Sequence, residues 1–403
     1  MNQLNNKLWT KDFIIVSSIN FFLTLIFYLL MVTISVYAVE QFHASTSSAG
    51  LVTGIFIIGA LIGRLFTGKI IDTVGRKKIL FIGLILFIIT TSFYFGANNL
   101  GLLLINRLIH GVALGISSTA TGTIVAQVIP ETRRGEGIGY YSMSATLATA
   151  IGPFVGLYLS QHANFQVIFF FCLGLGLFSF LTAFLLKVPA IILSNEQTDE
   201  MKGFKLSNFI EMKALPIAIV TLLAGFCYSS VMSFITFYAM EIHLVDTASF
   251  FFLVYAIAIL VSRPFTGRLF DLKGANMIMY PALFLFAIGM MLLSTASQGL
   301  ILLLSGIIIG FGFGNFQSSA QAVAIKVTPP HRMGLATSTF FIFIDFGYGI
   351  GPYILGFLIP LAGYRMMYLA IGITVLITMI LYHFLHGKKE SIARSRNKIS
   401  VPL

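Results

Sequence analysis

Charge is what this chain has least of. Only 10% of its 403 residues are Asp, Glu, Lys or Arg, against about 25% in an ordinary soluble domain. So few polar side chains cannot coat a water-facing surface of this size, and the expected solvent is lipid. Cysteine is scarce too. Cys172 and Cys227 sit in apolar runs in different halves and read as small buried hydrophobes. No Gly-x-x-x-x-Gly-Lys loop followed by Ser or Thr is present, so direct use of ATP is not expected. No His, Cys and Asp cluster has metal-ligand spacing, and no nucleophile sits in a Gly-x-Ser-x-Gly elbow. Neither a cofactor nor an enzymatic activity is therefore expected. No soluble stretch is long enough to be the output domain of a membrane sensor.

Hydrophobic residues make up 57% of the chain, and phenylalanine alone occurs 40 times, which suits helices facing acyl chains. Apolar runs long enough to span a bilayer, about 20 residues each, lie near 12–39, 47–71, 77–97, 100–127, 134–160 and 164–187. A second set lies near 212–240, 246–270, 276–297, 299–325, 332–360 and 364–386. The expected architecture is an all-α integral membrane protein of twelve transmembrane helices in two pseudo-symmetric six-helix bundles. The bundles cover 1–187 and 212–386, joined by a polar cytoplasmic linker at 188–211 and followed by a basic tail at 387–403, expected to lack fixed structure. The first run is too long for a signal-peptide core and lacks a small-residue cleavage site, so it reads as a retained helix.

The net charge of +11 does not point to nucleic acid, because the basic residues form short clusters between apolar runs. With both termini inside, every Lys and Arg except Arg64, Arg107, Arg263 and Arg365 falls on the cytoplasmic side, as the positive-inside rule requires.

The two halves repeat in one register. Arg64, Gly68, Asp72 and Gly75 recur as Arg263, Gly267, Asp271 and Gly274. Pro130, Arg133 and Gly135 recur as Pro329, Arg332 and Gly334, and Gly152-Pro153 recurs as Gly351-Pro352. Each pair is separated by 199 positions, as are Gly111 and Gly115 from Gly310 and Gly314. Six spans return the chain to its starting side, so the repeats are parallel. Transporters of this build hold substrate near mid-membrane and rock one bundle against the other.

Gly68-xxx-Asp72-xx-Gly75-Arg76-Lys77-Lys78, after the second run, resembles motif A of the major facilitator superfamily. Asn106-Arg107-xx-His110-Gly111-xxx-Gly115 resembles its motif B, and Gly152-Pro153-xx-Gly156 its motif C. The pattern is similar to the twelve-helix drug:proton antiporters of bacteria. It departs from them at His110, where Gln is usual, at Ala148 and Leu157, where Gly is common, and in lacking an acidic residue deep in the first helix. The resemblance implies a proton-coupled antiporter in the bacterial cell membrane, exporting lipophilic or cationic small molecules by alternating access. The rival within transport is a dedicated exporter of one metabolite, such as a sugar, an amino-acid derivative or a siderophore. Small-molecule substrate, protons and membrane lipid are the expected partners, and a monomer suffices.

Asp72 and Arg76, with Gly68, Gly75 and Asp271, form a candidate conformational latch: a carboxylate at a helix end can pair with basic groups or a neighbouring helix N-terminus. Ala275 and Asn276 replace Arg76 and Lys77 in the second half, so that latch is expected to be the weaker. Arg107 and His110 share a helix face deep in the fourth run, where a charge is expensive and usually functional. Asp345 stands alone in the eleventh run, with no basic residue within ten positions. It can carry a proton, pair with a cationic substrate, or be fixed by hydrogen bonds to a neighbouring helix. Arg107, His110 and Asp345 are the proton-coupling candidates. Gly152, Pro153, Gly351 and Pro352 mark gating or packing kinks. Asn20, Thr24, Tyr28, Tyr140, Tyr228, Asn315, Gln317, Phe341 and Tyr348 are candidate cavity-lining residues. Glu136 and Glu241 read as solvated rim residues.

Overall fold

The computed structural model describes residues 7–189, 194, 196–197, 203 and 205–392. The expected linker residues 190–193, 195, 198–202 and 204, and the tail residues 393–403, lie outside them. The described residues are helical, with no strand among them.

The first helices are α1 (Lys11–Phe42), α2 (Thr46–Val74), α3 (Arg76–Ser92), α4 (Leu100–Val128), α5 (Arg134–His162) and α6 (Phe165–Phe184). They are followed by α7 (Leu215–Glu241), α8 (Phe251–Lys273), α9 (Asn276–Ser294), α10 (Gly299–Lys326) and α11 (Met333–Tyr382). Short polar residues open several of them. Thr10, Ser45, Asn99 and Asn164 adopt extended backbone, and each side chain accepts from the amide three residues on, which satisfies one otherwise orphaned donor.

Among the described residues, eleven segments are long and apolar enough to cross a membrane. The last of them, Pro330–Ile392, is 63 residues long, and its backbone leaves the helical region at Gly363, where φ is +74°. Two helices therefore run together in it. The start of the expected tail is helical as far as Ile392. Its Glu390 carboxylate accepts from the Ala275 and Asn276 amides at the start of α9 (2.7 and 2.9 Å), a helix N-terminus that favours negative charge.

The chain forms two compact units that do not follow the halves of the sequence. The first holds residues 1–130, 144–211 and 329–342; the second holds 131–143, 212–328 and 343–403. The first turns of α5 thus belong with the C-terminal helices and those of α11 with the N-terminal ones.

In the first unit, α2 and α4 meet backbone to backbone. A Cβ on Gly59 or Gly63 would strike the Leu108 or Val112 carbonyl, and one on Gly111 or Gly115 would strike that of Phe56 or Ala60. Lipid gives helices no hydrophobic reason to associate, so close backbone packing through small residues supplies the attraction. Gly152 of α5 lies similarly against Tyr28 and the Leu25 carbonyl of α1. In the second unit its counterpart, Gly351 of α11, lies against Ser229 and the Phe226 carbonyl of α7. Pro153 and Pro352 follow within the two helices.

Candidate functional site

In each unit a motif carboxylate, Asp72 (buried) or Asp271 (half-buried), holds the start of a helix. In the first unit α2 ends at Gly75, whose φ of +106° lies where a side chain would be strained. The turn places Arg76 over Asp72. Asp72 Oδ1 accepts from Arg76 Nε (2.9 Å) and Nη2 (2.7 Å), while Oδ2 accepts from the Gly334 amide at the start of α11 (2.9 Å). Arg76 also donates to the Gln127 side chain and the Pro330 carbonyl. Gly68 admits the crossing, since a Cβ there would meet Ser338 Oγ at 2.5 Å.

The second unit repeats this at the equivalent positions. Gly274 has φ +85°. Asp271 accepts from the Gly135 amide (2.7 Å) and the Glu136 amide (2.9 Å) at the start of α5. Gly334 and Gly135 are repeat partners, so the symmetry read in the sequence extends to the bond itself. Beside the second latch lies Glu136. That residue is buried, not a solvated rim, and its carboxylate pairs with Arg133 (2.7 Å) and Arg268 (3.0 Å). These arginines pair with Glu136 and not with Asp271, which has amide partners only, where Asp72 also has a cation. In the first unit Arg332, the counterpart of Arg133, pairs with buried Glu211, whose amide donates to Thr339 Oγ1 (2.9 Å).

About two turns deeper, the repeated arginines Arg64 and Arg263 are buried. The Arg64 carbonyl accepts from Ser338 (2.6 Å), and its guanidinium lies 4.6 Å from the Phe341 ring centre. Arg263 donates to the carbonyls of Gly139 (3.1 Å) and Gly314 (2.8 Å) and to Ser142. Gly139 and Ser142 are the repeat counterparts of Ser338 and Phe341. Both arginines were visible in the sequence as charges inside helices, but their partners lie on helices far along the chain.

Arg107 and His110 of α4 come together, both fully buried. Arg107 donates to the Val52 carbonyl (3.1 Å) and Tyr94 Oη (3.2 Å) and lies 4.3 Å from the Phe56 ring centre. His110 Nδ1 is 2.8 Å from the same Tyr94 hydroxyl. Every bond that Arg107 makes ends on α2 or on Tyr94. Asp345 belongs to the other unit. It is half-buried on α11, one turn from Tyr348, whose ring lies near Tyr228 (6.1 Å) and Phe313 (6.4 Å). Tyr228 stacks on Phe313 at 4.2 Å, their planes 7° apart, and on Tyr255 at 5.5 Å. The aromatic group therefore draws on α7, α8, α10 and α11.

The cavity-lining candidates fare unevenly. Thr24, Tyr28, Tyr140, Gln317, Phe341 and Tyr348 are half-buried, whereas Asn20, Tyr228 and Asn315 are buried. Asn20 donates to Ser144 of α5 (2.9 Å). Asn315 donates to Ser262 Oγ and the Phe311 carbonyl and accepts from Thr266 (2.8 Å each), so it cross-links α8 and α10.

The family model described as Major Facilitator Superfamily matches residues 16–343 and 245–403. The chain belongs to the major facilitator superfamily. It is accordingly an all-helical, multi-pass membrane transporter of small molecules, not an enzyme. Among curated relatives it is 26% identical to an uncharacterized MFS-type transporter of Methanocaldococcus jannaschii over 83% of this chain and 87% of that one. It is 24% identical to the staphylopine export protein of Staphylococcus aureus over 90% and 94% of the two chains. The quinolone resistance protein NorA of Staphylococcus aureus matches at 26% over 35% of this chain and 36% of its own. Among solved structures, the transporter FucP in its outward conformation has a TM-score of 0.77 at 16% identity, covering 94% of this chain and 99% of that one. This likeness concerns the superfamily fold alone.

Proposed function

We propose that this superfamily member is a proton-coupled antiporter that exports lipophilic or cationic small molecules by alternating access. The reading rests most on the placement of Asp345. A half-buried carboxylate one turn from the Tyr348–Tyr228–Phe313 aromatic group offers a negative charge beside flat apolar surface. That combination suits an amphipathic cation, and the same carboxylate can take up a proton when the cation leaves. Export is supported by the likeness to the staphylopine export protein over 90% of this chain and to the quinolone resistance protein NorA over 35% of it. In this reading the break at Gly363 divides two spans, giving twelve, with both termini cytoplasmic. The Asp72–Gly334 and Asp271–Gly135 bonds hold one state of the cycle and break in the other.

The test is ethidium efflux from energised cells expressing wild type or Asp345→Asn, with a protonophore control. Efflux abolished by both, with the variant still in the membrane, is the expected result. Wild-type protein that moves no ethidium or neutral lipophile under a proton gradient would sink the multidrug reading. The full-length likeness to the staphylopine export protein favours a dedicated metabolite exporter in that event.

A further inference from the structure

We propose that Tyr94 is a positioning residue of the transport machinery, which fixes the Arg107 guanidinium and the tautomer of His110 through a single buried hydroxyl. The transport part of this proposal rests on the reading of Arg107 as a coupling residue; the bond chain itself does not.

Donor and acceptor capacities set the direction of the chain. Arginine only donates, so Tyr94 Oη accepts from Arg107 Nη1 (3.2 Å). The hydroxyl keeps one hydrogen, and Tyr94 is fully buried with His110 as its other bonded neighbour (2.8 Å). That hydrogen therefore goes to His110 Nδ1, which must be unprotonated to accept it. The ring proton then sits on Nε2, which faces Thr91 Oγ1 at 3.5 Å. Thr91 spends its own hydrogen on the Phe87 carbonyl (2.7 Å), leaving its oxygen open to accept. The chain runs from Arg107 to Tyr94, His110, Thr91 and Phe87, each link donating to the next. Packing holds it in place: the Tyr94 ring stacks on Phe169 at 5.0 Å, and Phe87 and Phe56 contact the imidazole edge-on at 4.3 and 5.4 Å.

The consequence for Arg107 is geometric. Val52, Tyr94 and the Phe56 ring hold three sides of the guanidinium, and Nη2 is left as its one buried nitrogen without a bond. A buried donor left unmade is costly. That cost falls on Nη2, a donor with no acceptor in reach. Tyr94 decides which nitrogen that is.

Tyr94→Phe removes the hydroxyl and keeps the ring and its stack on Phe169. Phe169→Leu removes the stack and keeps the hydroxyl, so it reports a purely structural loss. Two readouts are taken on purified, nitrogen-15 histidine-labelled protein and on the same variants in cells. The first is the imidazole nitrogen spectrum, with His110→Asn identifying the signal. The wild type is expected to show His110 as the neutral Nε2–H form; Tyr94→Phe is expected to lose that single form, and Phe169→Leu to keep it. The second is ethidium efflux. Tyr94→Phe is expected to lower the maximal rate about tenfold, the equivalent of one charge-assisted bond, with the half-saturating concentration unchanged. A His110 signal in Tyr94→Phe identical to wild type overturns the bond chain, whatever compound is transported. Wild-type efflux by Tyr94→Phe alongside an inactive Arg107→Ala overturns the positioning role. Wild-type efflux by Arg107→Ala overturns the coupling reading of Arg107 itself and leaves the nitrogen spectrum to decide the chain.

Discussion

Asp72 and Asp271 occupy matching positions and grip matching helix starts, yet their surroundings differ in what each leaves behind when neutralised. Asp72 is the charge partner of Arg76, which is 4% exposed. Removing one member of a buried ion pair costs about 3–5 kcal/mol, because the other charge is left uncompensated. Asp271 instead bonds two amides, and the neighbouring arginines are neutralised by Glu136. An Asn at 271 keeps one acceptor oxygen and breaks no direct ion pair such as that of Asp72 with Arg76. Asp72→Asn is therefore expected to lower the unfolding temperature in detergent by clearly more than Asp271→Asn. Equal shifts measured by thermal size-exclusion profiles would show that the two sites are energetically the same. The carboxylates themselves were legible in the sequence, since both stand in a motif before a glycine. Their partners were not: the Gly334 amide is 262 residues from Asp72, and a backbone amide leaves no mark in a pattern of side chains. Tyr94 was invisible for another reason. It is one of 15 tyrosines in an aromatic-rich chain, and only the fold puts its hydroxyl between Arg107 and His110.

At the scale of the helix, the paired glycines of α2 and α4 set how near two backbones come. Gly111→Ala places a methyl on the Phe56 carbonyl, and overpacking of this kind costs typically about 1–3 kcal/mol. Gly54 lies on α2 with nothing near its Cβ position, so Gly54→Ala meets no obstacle and gains helix propensity of up to about 1 kcal/mol. Opposite signs in a thermal shift assay are the expected outcome; a neutral Gly111→Ala would mean that the two helices separate at no cost. Apolar runs, the repeat register and these small residues were readable because lipid allows few other solutions. The fate of Asn315 was not. A polar residue within a helix suits a cavity or a helix cross-link equally well, and its three bonds to α8 and its own helix decide for the cross-link.

For the molecule as a whole, the number of crossings turns on Gly363. Cys172 and Cys227 are fully buried, so single cysteines can be introduced without removing them. Asn98, Ala362 and Lys388 are exposed. Twelve spans with cytoplasmic termini require Asn98→Cys and Ala362→Cys to react with an impermeant maleimide on intact cells, and Lys388→Cys to react only after permeabilisation. Labelling of positions 362 and 388 from the same side would reduce the crossings to eleven. The composition of the units has a further consequence, for synthesis. The first unit includes residues 329–342 and the second includes residues 131–143. A ribosome working from the N-terminus has therefore made the opening piece of the second unit before it finishes the six N-terminal helices. It supplies the last piece of the first unit only when most of the second is already made. Membrane domains that are each one stretch of sequence can be completed in turn as they emerge. Here neither unit has all its residues until late in translation, and the assembly of the two is bound to the same closing stage of the chain's production.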